Sequence, residues 1–158
     1  MFFAFIKHSK FNIQHSLKFK IQNSEFNIIL GSKFNIVLAV KQNIIKEKTF
    51  NFALDIIELY KDLTTQKEFI ISKQILRSGT SIGANIEEAS AAQTKKDFIA
   101  KMAIASKEAR ETKYWLTLLQ KSQLVNKNFS DYLLNIEEII KIITSIIKTS
   151  QENLKIKN

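Results

Sequence analysis

Cysteine and proline are both absent from this chain, and glycine occurs three times. Without cysteine there is no disulfide framework, thiolate nucleophile, Cys-type zinc site or iron–sulfur cluster. Without proline, and with so little glycine, the turn chemistry of an all-β sandwich is missing. Histidine is confined to His8 and His15. Two are too few for a His-rich metal site. Long hydrophobic runs are lacking too. A membrane helix needs ~18–20 uninterrupted apolar residues. Ile28–Val40 is apolar but is broken by Gly31, Ser32, Lys33 and Asn35. The opening Met1–Ile6 run lacks a basic n-region, is too short for a signal core and precedes no small-residue cleavage site. The expectation is a cytoplasmic protein with no membrane partner.

What is present favours helix and positive charge. At 158 residues, 45% apolar and 25% charged, the chain suits one compact domain. Lys plus Arg is 24 against 15 acidic residues, a net charge of +9. Residues 1–45 carry six lysines against Glu25, a net +5, and residues 46–158 carry the remaining +4. A basic protein draws phosphate polymers through its long-range field, although solvation of an ordinary surface needs charge as well.

The first 45 residues are a different kind of sequence. Lys10-Phe11-Asn12-Ile13 recurs as Lys18-Phe19-Lys20-Ile21, Glu25-Phe26-Asn27-Ile28 and Lys33-Phe34-Asn35-Ile36. Apolar residues alternate within each unit, as in a strand. The spacing is too short for a solenoid repeat. Three readings compete: a β-like arm, a basic aromatic tail that touches nucleic acid, and translated upstream repeat DNA, the last being preferred. The expected organisation is a repetitive extension at 1–45, a helical bundle at 46–150 and a frayed tail at 151–158.

Four helices are predicted from about residue 49 onward. The first spans about Thr49–Leu63, with Thr49 as N-cap and Phe50, Leu54 and Ile57 on its apolar face, joined less clearly by Ile56 and Leu59. The second spans about Glu68–Ala91, with Ile71, Ile75, Ser78, Ile82, Ile86 and Ala89 as its seam. Gly79 and Gly83 lie inside it. Either a second backbone approaches closely there, or the helix breaks at Gly79. The third spans about Lys95–Ser122 behind a Thr94 cap, with Phe98, Met102, Ala105, Ala109, Thr112, Leu116 and Leu119 in heptad spacing. The fourth spans about Asp131–Thr149, capped by Asn128 or Ser130, with Leu133, Ile136, Ile140, Ile143 and Ile147 as seam. Links this short make consecutive helices antiparallel, so the fold expected is an all-α up-down four-helix bundle.

Off the third seam lie Ile104, Trp115 and Leu118, in one stripe with Glu108 and Glu111. Beside the fourth lie Ile139, Ile142 and Ile146. Second apolar stripes suggest self-association rather than only a wide core. Arg77, Ser81, Asn85 and Glu88 share one face of the second helix. A buried structural network is the preferred reading for them, ahead of a cluster facing a channel or partner. Lys95, Lys96, Lys101, Lys107, Arg110, Lys113, Tyr114 and Lys121 are candidate nucleic-acid contacts. Lys107, Arg110, Tyr114 and Lys121 fall along one outward side, where lysine and arginine suit phosphates and an aromatic ring suits base stacking. A plain solvated helix face is the alternative.

No catalytic residue, cofactor or metal ligand stands out. Glu87, Glu88, Glu137 and Glu138 lack the Glu-x-x-His pairs of a carboxylate-bundle metal site. No hydroxyl has a histidine base in the bundle, and Gly79-x-x-x-Gly83 without a following lysine is no phosphate loop. The chain therefore reads as a non-enzyme.

The stretch from Gln74 to Ser90, QILRSGTSIGANIEEAS, resembles the signature of the bacterial four helix bundle protein family, also called the 23S ribosomal RNA intervening-sequence protein family. Asp97-Phe98 and the run from Ala105 to Leu116 look like that family's third helix. The resemblance covers roughly residues 49–147 and leaves out 1–45. It implies a four-helix protomer in a ring-like homopentamer. It extends to the accessory variability protein of diversity-generating retroelements, a basic pentameric barrel that binds nucleic acid and partners a reverse transcriptase. By resemblance, the expected partners are further copies of the chain, RNA or DNA, and a nucleic-acid enzyme. A protein–protein adaptor of the same shape is the alternative function.

Overall fold

The structure, a computed structural model, describes residues 36–155. The repeats at 1–35 and the last three residues lie outside the described part, and with them the competing readings of the extension. The bundle proper begins at Val40. Among the described residues there are four helices and no strand: α1 (36–65), α2 (Ile71–Ser90), α3 (Lys95–Ser122) and α4 (Ser130–Lys155). α2 packs on α3 and α3 on α4, while α1 closes the bundle against α2 and α4. It is an antiparallel up-down four-helix bundle.

α1 begins well before Thr49, so residue 46 lies inside a helix, and Thr49 is a buried mid-helix residue rather than a cap. Its hydroxyl donates to the Ile45 carbonyl at 2.7 Å, which satisfies it without leaving the helix. The register also differs from the sequence expectation. Ile45, Thr49, Phe52, Ile56, Leu59 and Leu63 form the buried seam, whereas Phe50, Leu54 and Ile57 face outward, Phe50 being 66% exposed. Both stripes are apolar at helical spacing, so periodicity alone cannot choose between them.

α2 runs unbroken through Gly79 and Gly83. A Cβ at Gly79 would stand 3.0 Å from the Ile56 side chain, and one at Gly83 would stand 3.6 Å from the Thr49 carbonyl oxygen. The glycines are thus where α1 comes close. Glu68 caps the start of α2: its carboxylate accepts from the N–H groups of Ile70, Ile71 and Ser72 at 2.6–3.0 Å. These would otherwise be unbonded at a helix start.

The α3 seam is the one expected. Met102, Ala105, Ala109, Thr112, Leu116 and Leu119 are buried, and Phe98 is half-buried. Thr94 accepts from the Asp97 N–H at 3.1 Å, an N-cap that fixes the start. At the core, the Thr112 hydroxyl donates to Ser78 Oγ at 2.8 Å, joining α3 to α2.

α4 buries more than one stripe. Ile136, Ile140 and Ile143 are buried as expected, but so are Ile139 and Ile146, both at 0% exposure. Their role as a free second stripe is therefore overturned. A helix in a four-helix bundle touches two neighbours, and its apolar arc widens accordingly. α4 also continues past Thr149 to Lys155.

Candidate nucleic-acid interface

With its heptad turned inward, α3 must present its opposite face to solvent. That face carries Lys96, Lys107, Arg110 and Lys121, all exposed, with Tyr114 at 59% exposure. Lys95 is exposed beside Lys96 at the start of the helix. None of these five cations makes an ion pair among the described residues. The Tyr114 ring meets Trp115 edge-on, with centroids 4.9 Å apart. More than half of Tyr114 nevertheless stays exposed.

The other two lysines of the predicted set are committed elsewhere. Lys101 donates to Glu88 of α2 at 2.5 Å, and Lys113 donates to Glu137 of α4. The hydrogen bond from Lys113, then its charge, holds the Glu137 carboxyl below the usual range against a smaller opposing effect of burial, and Arg110 adds a weaker pull. Glu88 raises the Lys101 ammonium in the same way. Both lysines lie at the flanks of α3 and knit the bundle, while the centre of the outward face keeps unneutralised cations.

The face of α2 that carries Arg77, Ser81, Asn85 and Glu88 lies along the flank next to α3. It is not a buried network. Arg77 is exposed and pairs with Glu111 at 2.5 Å, Glu88 is exposed, and Asn85 is half-buried and donates to the Ser81 carbonyl of its own helix at 2.8 Å. Opposite them on α3 stand Ile104, 42% exposed, Leu118, 36% exposed, and the half-buried Trp115. Glu108 Oε2 is buried in this band and has no hydrogen-bond partner among the described residues.

Sequence reasoning missed the carboxylates that decide which lysines are free. Glu88, Glu111 and Glu137 meet partners 13, 34 and 24 residues away. Such pairings belong to helix packing and leave no local signal. Among the described residues, no group of three acidic or histidine side chains could hold a metal ion, and no helix is long and apolar enough to cross a membrane.

A small antiparallel bundle with one basic, aromatic-bearing outer helix face is the class that fold and surface define. Residues 41–145 match the family model of the 23S rRNA-intervening sequence protein, and the chain belongs to that family. A crystal structure of a protein of unknown function from the S23 ribosomal protein family of Bacteroides thetaiotaomicron is 52% identical. It covers 68% of this chain and 98% of its own, with a TM-score of 0.66. No curated protein matches the chain.

Proposed function

We propose that the protein is a non-catalytic homo-oligomer, a pentamer by family resemblance, that binds RNA or DNA with little sequence preference. The surface is the outward face of α3. The observation that carries this reading is the division among its cations: Lys107, Arg110 and Lys121 surround an exposed Tyr114 without ion-pair partners among the described residues, while Lys101 and Lys113 are neutralised. Unpaired cations attract phosphates and release counterions, and an open ring supplies stacking that any base satisfies. Assembly strengthens the case. Five bodies of net +4 sum to about +20, and linked weak sites gain avidity. By the family resemblance alone, we also propose an accessory role beside a nucleic-acid enzyme.

A second reading, an adaptor between proteins, is favoured by the partly exposed Ile104 and Leu118 flanking Trp115. Light scattering on the full chain separates the two readings. The mass of a ring that gains RNA at low salt and loses it at high salt supports nucleic-acid binding. A monomer indifferent to RNA at both salts contradicts it.

A further inference from the structure

The end of the bundle that holds the α1–α2 and α3–α4 connections has a surface unlike the rest. Phe69 is 51% exposed, Ile70 78% and Leu124 60%. The first two come from one connection and the third from the other, yet all three line one shallow depression, with Lys67 and Glu68 both in its wall. The two connections are fastened together. Gln66 Oε1 accepts from the Asn126 N–H at 3.2 Å, and Lys127 pairs with Asp62 at 2.7 Å. The φ angles of Lys67 and Gln123 are +64° and +50°, so each connection holds a non-glycine residue in the left-handed region. The apolar side chains are thus held on ordered backbone.

The charges at this end are unevenly used. Asp62 is consumed by Lys127, and Glu68 by the N–H groups of α2. Asp131, in the first turn of α4, is exposed, and so is Asp55 of α1, which acts on the same Tyr132 as Asp131 does. Against these two stand three lysines: Lys67, Lys73 in the first turn of α2 and Lys121 in the last turn of α3, all exposed and without ion pairs among the described residues.

We infer that this end docks on an anionic phospholipid surface, with Phe69, Ile70 and Leu124 entering the headgroup layer and the lysines meeting lipid phosphates. The size of the patch decides between classes of occupant. A stable protein interface takes about 800 Å² from each partner, some 20–30 residues. Three projecting side chains on a bundle tip fall far short of that. Reversible binding at a lipid surface scales with the apolar area inserted plus the attraction of basic residues to anionic headgroups, and it needs no spanning segment.

The test is co-sedimentation of the full chain with vesicles of phosphatidylcholine, with and without phosphatidylserine. The wild type pellets with the anionic vesicles and stays in solution with the neutral ones. Phe69→Ser combined with Ile70→Ser lowers the bound fraction at least about tenfold, since apolar transfer drives insertion. Lys67→Gln with Lys73→Glu weakens binding several-fold. All four positions are exposed, so unchanged helicity by circular dichroism confirms the variants fold. RNA binding is unaffected by the Phe69/Ile70 pair, which separates this inference from the nucleic-acid reading. No pelleting of the wild type overturns the inference. So does undiminished pelleting of the Phe69/Ile70 pair, which would assign vesicle binding to the overall positive charge.

Discussion

Lys113 of α3 donates a hydrogen bond to Glu137 of α4, whereas Arg110 on the same helix makes no ion pair among the described residues. A cation already paired with a neighbouring carboxylate at the bundle surface presents little net charge to a phosphate. Lys113→Ala is therefore expected to change affinity for a short RNA by less than about twofold, measured by fluorescence anisotropy. A loss as large as that from altering Arg110 would mean the ion pair opens on binding.

The two glycines of α2 respond oppositely to the same change. Alanine at Gly79 places its methyl 3.0 Å from the stiff, buried Ile56 side chain. Overpacking of this kind costs ~1–3 kcal/mol, which exceeds the gain of up to ~1 kcal/mol in helix propensity. Gly79→Ala should destabilise the bundle by about 1 kcal/mol. At Gly83 the new methyl meets the Thr49 carbonyl oxygen at an ordinary 3.6 Å. Gly83→Ala should stabilise by up to about 1 kcal/mol. Urea unfolding of the two variants should show opposite shifts in midpoint.

Glu68 makes stability depend on acid. Burial alone would raise its pKa, but the three backbone N–H donations outweigh burial and hold it below the 4.5 of an ordinary glutamate. A depressed folded pKa gives stability that is present above the unfolded value and lost as pH falls through the folded one. Glu68→Ala should cost about 1–2 kcal/mol at neutral pH. The gap to wild type should narrow below about pH 4.5 and close as the carboxylate protonates. Thermal melts across that range check the sign.

The band around Trp115 bears on assembly. Ile104→Asp with Leu118→Asp puts two charges where a partner copy would cover apolar surface, and neither position lies in the core. The expected result is a smaller mass by light scattering with helicity unchanged. An unaltered mass would exclude this band from any self-contact.

The seam of α2 was legible as a single apolar stripe, and that of α3 because its heptad runs unbroken from Phe98 to Leu119, whereas Ile104, Trp115 and Leu118 share their side with Glu108 and Glu111. α1 was not, because Phe50–Leu54–Ile57 and Phe52–Ile56–Leu59 repeat with the same period on different faces. The choice is made in three dimensions, where Gly79 admits Ile56 and Gly83 lies against Thr49. In α4, Ile139 and Ile146 looked surplus to one stripe, although a helix wedged between two neighbours buries both rows. Thr49 looked like a cap because its hydroxyl can bond locally, and mid-helix it bonds Ile45 instead. The outward row of α3 followed from the heptad. Which of its lysines remain free did not, because Glu88 and Glu137 approach from other helices.

Nucleic-acid binding is proposed for the outward face of α3. Its most direct test is RNA affinity as a function of salt for the wild type and for Lys107→Glu combined with Arg110→Glu. Each lost phosphate contact removes about one unit from the slope of log affinity against log salt. The double variant is expected to bind at least about tenfold more weakly at low salt, with a slope shallower by about two and an unchanged melt. Equal affinities and equal slopes in the two proteins would contradict it.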